Sequence, residues 1–482
     1  MRLRTVAATA LAVMGLELCG AEKWTLAYQL DISRCKVPTM ETLYRMVDVI
    51  ASLGYNQFQL YTEHTFAYRG HETVWAEASP MTPDEIRALD AYCAKRGVEL
   101  VPNQNSFGHF DQWLRHPEYN DLAELPQGGA VIKMWGSTMA QPSALCPTDP
   151  RSLELVRGLY DQLLPCFRST KFNVGCDETL ELDYGDGKGR SAAQIAEKGA
   201  GRVYLEFLKK VHGLVSERRH TMMFWGDIVL MHPELISELP KDVIALNWGY
   251  EGNHPFEKET SALQAAGCRY YVCPGTSGWG SLFGRTSNMM SNVFNAVSAG
   301  RRHGAEGLMM TDWGDGGHPN VWLVSLPAIV FASQLVRGEA ATRASVAAGI
   351  DRITGGRCGE AVMGMGDVYR TVGGRKGNTT ELYYMLSQGS GYERAPGVTD
   401  ESIAKAFAEW RIARAKADLA GMKDWAKVEL AMMDLLFEAL VQRTVDPSVR
   451  NFKAMFEPRY RRLWLRLNRR GGLQTSLQTL FR

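Results

Sequence analysis

Eight short β-rich runs alternate with amphipathic stretches from residue 24 to about 335, and few folds accommodate that order. The runs are Trp24–Leu30, Asn56–Tyr61, Glu99–Pro102, Phe172–Gly175, Met222–Trp225, Val243–Leu246, Tyr270–Cys273 and Gly307–Thr311. Between them, segments such as Met40–Leu53 and Pro83–Arg96 carry helical spacing. In the latter, Ile86, Leu89 and Tyr92/Cys93 fall on one face. Strand–helix alternation repeated eight times predicts an α/β chain built as a (β/α)₈ TIM barrel. At 482 residues the chain is long enough for that barrel and a smaller second unit.

The residues at the end of each run point to a site. Asp31 ends the first, Glu63-His64 the second and Asn103-Gln104-Asn105 the third. Asp177-Glu178 comes after the fourth, Trp225-Gly226-Asp227 after the fifth and Asn247-Trp248-Gly249-Tyr250 after the sixth. Thr276 to Trp279 come after the seventh, and Asp312-Trp313-Gly314-Asp315 after the eighth. Polar and aromatic residues thus gather at the C-terminal strand ends, where barrel enzymes build their active sites.

The sharpest of these ends is Lys171-Phe172-Asn173-Val174-Gly175-Cys176-Asp177-Glu178-Thr179. Two adjacent carboxylates repel, so a fold that sets them together at a strand end usually wants one protonated and one ionised. That division of labour suits glycoside cleavage. Trp225/Asp227, Trp313/Asp315 and Trp248/Tyr250 suit carbohydrate as well: an indole covers the apolar face of a pyranose while a carboxylate takes its hydroxyl hydrogens.

Net charge is +1, which gives no electrostatic case for nucleic acid. The basic run Arg459-Tyr460-Arg461-Arg462, with Arg466, Arg469 and Arg470 around Trp464, reads as a helix face whose arginines pack over aromatics. Residues 1–21 read as an export signal: Arg2 and Arg4, an apolar stretch from Val6 to Leu16, then Cys19-Gly20-Ala21. The expected location is therefore periplasmic or secreted. Leu18 ahead of Cys19 argues against lipid anchoring. No later segment reaches the roughly 18 apolar residues of a membrane helix. Cysteines 35, 93, 146, 166, 176, 268, 273 and 358 are scattered and read as free thiols, and neither they nor the histidines show metal-ligand spacing. No metal and no cofactor is expected.

Residues 340–482 change character, with helical stretches Ile403–Leu419 and Trp425–Val441 and no strand-end acids. The expected organisation is a signal at 1–21, a catalytic barrel at 22–338 and a helical C-terminal domain at 339–482. The segment 103–170 reads as a long functional loop with turns at Pro126-Gln127-Gly128-Gly129. Gly185-Asp186-Gly187-Lys188-Gly189-Arg190 superficially suggests a nucleotide loop, but no strand leads into it, so it reads as a rim loop. Gly471-Gly472 reads as a helix stop.

The strand-end motifs together resemble family 20 glycoside hydrolases, the β-N-acetylhexosaminidases, and most closely the hexosaminidase D branch. The residues that carry the resemblance are Leu30-Asp31-Ile32-Ser33-Arg34, Ser106-Phe107-Gly108-His109, Val174-Gly175-Cys176-Asp177-Glu178, Trp225-Gly226-Asp227 and Thr311-Asp312-Trp313-Gly314-Asp315. Two places depart from the family pattern. Asn173 and Cys176 stand where His and a second Gly are common, and Leu26 stands where many members place an arginine that holds ring hydroxyls.

The resemblance implies exo-acting, substrate-assisted, retaining hydrolysis of terminal β-linked GlcNAc or GalNAc from a glycan. It implies Glu178 as acid–base, Asp177 as partner of the 2-acetamido N–H and Tyr250 as donor to the acetamido oxygen. Trp225, Trp248 and Trp313 would wall the pocket, with His109 and Asp227 among the substrate-binding residues. Ring hydroxyls would fall to Glu63, His64, Arg285 or Asp315. Two other readings stay open: a non-catalytic carbohydrate-binding barrel, and a glycosidase for sugars lacking the acetamido group, with Asp227 or Asp315 as carboxylate nucleophile. Oligomeric state is not legible.

Overall fold

A computed structural model describes residues 24–132, 137–184, 187–374 and 377–482. The expected export segment lies outside the described residues, as do Gly185 and Asp186 of the glycine-rich run.

Eight parallel strands form the barrel: β1 (Thr25–Asp31), β2 (Gln57–Tyr61), β3 (Glu99–Val101), β4 (Lys171–Asn173), β5 (Thr221–Trp225), β6 (Ile244–Trp248), β7 (Arg269–Cys273) and β8 (Gly307–Asp312). Hydrogen-bonded neighbours run β3-β2-β1-β8-β7-β6-β5-β4. The remaining edge closes through Asn173, whose N–H donates to Pro102 O and whose carbonyl accepts from Gln104 N, both at 3.0 Å. All eight expected strands are present, shifted by at most a residue or two at their ends.

Strand alternation sorts the side chains. In β1, Leu26, Tyr28 and Leu30 face the helical layer, while Ala27 joins an inner cluster with Val101, Met223 and the aromatics Tyr61, Trp225, Tyr250, Trp279 and Trp313. Beneath them lies an amide floor: Asn173 Nδ2 donates to Gln59 Oε1 at 3.0 Å, and Gln59 Nε2 to Gln57 Oε1 at 3.2 Å. The departures from the family pattern on these strands therefore have structural work. Leu26 is a packing residue of the outer layer, and Asn173 ties the barrel floor to the turn above it.

The helices begin where their caps say they should. Thr39 caps Met40–Ser52, and Thr82 forms a reciprocal capping box with Glu85 at Pro83–Ala94. The segment from 103 to 170 is not one loop. It holds short helices at Asp111–Leu114 and Pro117–Asn120, paired strands Ala130–Ile132 and Ser137–Met139, and a full barrel helix at Pro150–Leu163.

Helix Trp322–Val336 is apolar all round because it is sandwiched between the barrel and the helices C-terminal to it. Those helices include Asp400–Ala415 and Asp424–Val445, whose Trp410 and Phe437 rings stack 3.8 Å apart and receive Phe283 from the loop after β7. Tyr383 donates to Gly316 O at 2.9 Å, beside the strand-eight motif. The helical region thus buttresses the loops after β7 and β8. In the basic run, Tyr460 and Trp464 are buried while Arg459 and Arg461 pair with Glu438 and Glu457. Gly471-Gly472 does not stop a helix. Gly472, at φ 73°, opens helix Leu473–Leu480, and a Cβ there would strike the carbonyl of Cys35. Among the described residues the eight cysteines are unpaired; Cys35 and Cys268 are half-buried and the other six buried. No described helix is long and apolar enough to cross a membrane.

Candidate active site

After β4 the chain turns through an unusual elbow. Gly175, Cys176 and Glu178 all lie in the left-handed region, at φ 68°, 68° and 48°. For the two residues with a Cβ that conformation is strained, and strain of this kind persists only where neighbours hold it. Asn173 Oδ1 accepts from Gly175 N at 3.0 Å, Tyr204 donates to Cys176 O at 2.9 Å, and Asp227 Oδ2 accepts from Glu178 N at 2.9 Å. Gly108 packs directly on the carbonyl of Asp177, where any Cβ would collide.

The elbow separates the two carboxylates by environment. The Asp177 side chain is 8 % exposed and that of Glu178 is 27 % exposed, so Glu178 meets open space and Asp177 does not. Oδ1 of Asp177 is buried and has no hydrogen-bond partner among the described residues. His109 bridges the pair: its Nε2 lies 3.2 Å from Asp177 Oδ2 and 3.3 Å from Glu178 Oε2. Burial opposes a charge on His109, but Asp177 and the contacts to both carboxylates outweigh it and hold the imidazole pKa well above the usual range.

Behind His109 stands Glu63, 3.9 Å from Nδ1, accepting from Tyr61 Oη at 2.9 Å. Burial pushes the Glu63 carboxyl up to about 7, against the pull of Arg34. Arg34 is the cation of this corner. Its guanidinium reaches Asp31 at 3.3 Å, Glu63 at 3.4 Å and Asp315 at 3.6 Å, and lies over the rings of Tyr61 and Trp313.

The aromatic residues form one connected wall. Trp313 donates its indole N–H to the Tyr250 hydroxyl at 2.8 Å and meets Tyr61 edge-on, with ring centroids 4.7 Å apart. Trp248 stacks on Tyr250 at 5.1 Å, and Trp279 meets Tyr250 edge-on at 4.9 Å. Trp225 is fully buried beneath Trp313. Asp227 is half-buried, and burial beside Asp177 pushes its carboxyl well above the usual carboxylate range.

Chemically, this corner offers a partly open carboxyl to exchange a proton, a sheltered carboxylate with a free acceptor, and a phenol between indoles. The sequence profile described as "Glycosyl hydrolase family 20, catalytic domain" matches residues 27–279, which span the elbow and seven of the eight strands. The chain belongs to glycosyl hydrolase family 20. It therefore carries a glycoside hydrolase catalytic domain.

Known proteins resemble it at modest identity. Human hexosaminidase D is 26% identical over 219 residues, 44% of this chain and 42% of that protein. A β-hexosaminidase of Akkermansia muciniphila is 24% identical over 226 residues, 42% of this chain and 45% of that protein. The matched stretch thus spans less than half the length of either relative. The crystal structure of Flavobacterium johnsoniae chitobiase superposes with a TM-score of 0.55 at 14% identity, covering 95% of this chain and 78% of that one. At that identity the likeness is one of fold.

Of the residues expected from sequence, this family 20 chain brings Glu63, His109, Asp177, Glu178, Asp227, Trp225, Trp248, Tyr250, Trp313 and Asp315 to one end of the barrel. Two others also follow strand ends but are engaged by other groups. Arg285 is buried and paired with Glu251 at 2.8 Å, so it braces the loop carrying Tyr250. His64 is buried near Asp111, Arg115 and His116, with its pKa driven down to about 4 by burial. No hydrogen bond or ion pair among the described residues links either one to Asp177 or Glu178. Arg34, Tyr61 and Trp279 join the site without a role expected from sequence. The signal for Tyr61 is strand parity with Gln57 and Gln59, and for Arg34 its place three residues after a strand-end acid.

Proposed function

We propose that this chain is an exo-acting β-N-acetylhexosaminidase of the hexosaminidase D-like branch, removing terminal β-linked GlcNAc or GalNAc from glycans by substrate-assisted, retaining catalysis. We take residues 22–338 as its catalytic barrel, 339–482 as its helical domain and 1–21 as an export signal. The observation that carries the reading is the Asp177–Glu178 elbow bridged by His109, with a tyrosine hydroxyl held by an indole at the same end of the barrel. The names of its relatives, a hexosaminidase D and a β-hexosaminidase, point the same way.

In this mechanism Glu178 donates its proton to the glycosidic oxygen as the C1–O bond breaks. The substrate's own acetamido oxygen bonds to C1 and forms an oxazolinium ion; being tethered, it has little entropy left to lose. Asp177 accepts from the acetamido N–H through its unpartnered Oδ1 and opposes the positive charge as it develops. Tyr250 already accepts the Trp313 N–H, so its own hydrogen is free to donate to the acetamido oxygen. Glu178, now ionised, takes a proton from water, which attacks C1 and restores the acetamido group with retained configuration. The protonated His109 keeps Glu178 oriented between these steps.

A carboxylate nucleophile is disfavoured. Asp227 commits one oxygen to the amide of Glu178, and Asp315 faces Arg34. Paired chromogenic β-glycosides with and without the 2-acetamido group test the reading. Hydrolysis confined to the acetamido sugar is expected, with turnover falling about 10²–10⁴-fold in Glu178→Gln. Equal hydrolysis of both sugars, or a fully active Glu178→Gln enzyme, would contradict it.

A further inference from the structure

The sequence groups Asp227 with the sugar-binding residues, but the geometry points to another task. We infer that Asp227 is a positioning residue: it aims the acid Glu178 by holding the backbone amide of Glu178. This rests on the assignment of Glu178 as the acid.

Glu178 sits at φ 48°, a conformation that a glutamate does not adopt unaided. Its amide N–H donates to Asp227 Oδ2 at 2.9 Å. Asp227 comes from the next strand end, where it is the first residue of the short helix Asp227–Met231. That helix is anchored by buried Ile228 and Val229, and Gly226 N donates to Leu246 O at 2.9 Å. The acceptor is thus fixed to the barrel through β5 and β6, and β5 itself is tied to the elbow by Trp225 N, which donates to Gly175 O at 2.9 Å. On the other side Gly108 presses on the carbonyl of Asp177. The peptide linking Asp177 to Glu178 is gripped at its oxygen by a glycine contact and at its N–H by a carboxylate. Rotation of that peptide would swing the Glu178 carboxyl away from the leaving oxygen, and a misplacement of about 1 Å can cost on the order of 10²-fold in rate.

An acceptor is what this task requires, and the charge is incidental to it. Asparagine offers a carbonyl oxygen at the same reach, whereas alanine offers nothing. The experiment compares the parent, Asp227→Ala and Asp227→Asn on two acetamido glycosides, one with an activated nitrophenol leaving group and one with a sugar. Asp227→Ala should lose about 10²-fold in kcat on the sugar leaving group, which needs the proton, and less than about tenfold on nitrophenol. KM should be little changed, and Asp227→Asn should restore most of the loss.

Three results would overturn the inference: full activity in Asp227→Ala, equal losses on both leaving groups, or a rise in KM as the main effect of Asp227→Asn. If Asp227→Ala does not fold, Asp227→Asn decides: kcat and KM close to the parent on both leaving groups are expected, and a loss of about 10²-fold in kcat or a raised KM would overturn the inference. Failure of the catalytic assignment itself would appear separately, as a parent enzyme inactive on both glycosides or indifferent to Glu178→Gln.

Discussion

Trp313 and Tyr250 come from different strand ends, yet the indole N–H of one is held by the hydroxyl oxygen of the other at 2.8 Å. A phenol has one hydrogen to give, and here its acceptor side is already engaged, so that hydrogen is directed outward from the indole. Removing the hydroxyl in Tyr250→Phe should lower kcat on acetamido glycosides by about 10²-fold, the usual worth of one donor to a developing charge. Trp313→Phe should reproduce part of the loss by freeing the phenol to turn. Steady-state kinetics on both variants checks this; an unchanged kcat in Tyr250→Phe would remove the hydroxyl from the mechanism.

His109 makes a prediction with a definite sign. Its folded pKa is raised by Asp177 and Glu178, so the stability it contributes is fully present below the unfolded histidine value near 6.5 and is lost as pH rises through the folded value. His109→Gln removes the charge and keeps a donor. The stability gap between parent and variant should be widest at pH about 6 and should narrow into the alkaline range. Urea unfolding of both proteins across that range measures it, and a gap that widens with pH would contradict the charged assignment.

Glu429 should behave in the opposite sense. It is buried under the helical region, accepts from Leu323 N at 2.5 Å and faces Lys36 and Arg45. Burial pushes it from 4.5 to about 7, so its ionisation costs the folded state stability as pH rises between those values. Glu429→Gln keeps the acceptor and drops the charge. It should match the parent near pH 4.5 and exceed it by an amount on the order of 3 kcal/mol above pH 7. A variant less stable than the parent at pH 8 would show instead that attraction to Lys36 outweighs desolvation.

Legibility in the sequence depends on whether the signal is local. The strands are legible because each apolar run ends in polar or aromatic residues, and parity then fixes which side chains turn inward. Helix Pro150–Leu163 hides inside an expected loop, although Asp149-Pro150 is a cap followed by proline at the first helical position. Gly471-Gly472 looks like a helix stop because the contact that demands a glycine there, the carbonyl of Cys35, lies more than four hundred residues away in sequence. Arg34 stands in the strand-one motif, but its role is hidden for a similar reason: Glu63, Asp315 and Trp313 converge on it only once the barrel closes. The partners of Arg285 and Asp227, Glu251 and the amide of Glu178, cannot be inferred from spacing.

The substrate's acetamido oxygen is the proposed nucleophile, and Asp177 is placed to support it. A thiazoline analogue of the bicyclic intermediate tests this most directly, because a site complementary to that geometry binds it in preference to the ground state. Calorimetric titration of the parent enzyme should give a Kd at least about 10²-fold below that of free N-acetylglucosamine, with most of the advantage lost in Asp177→Asn. Equal affinity for the thiazoline and the free sugar would contradict substrate assistance and return the search to a carboxylate nucleophile.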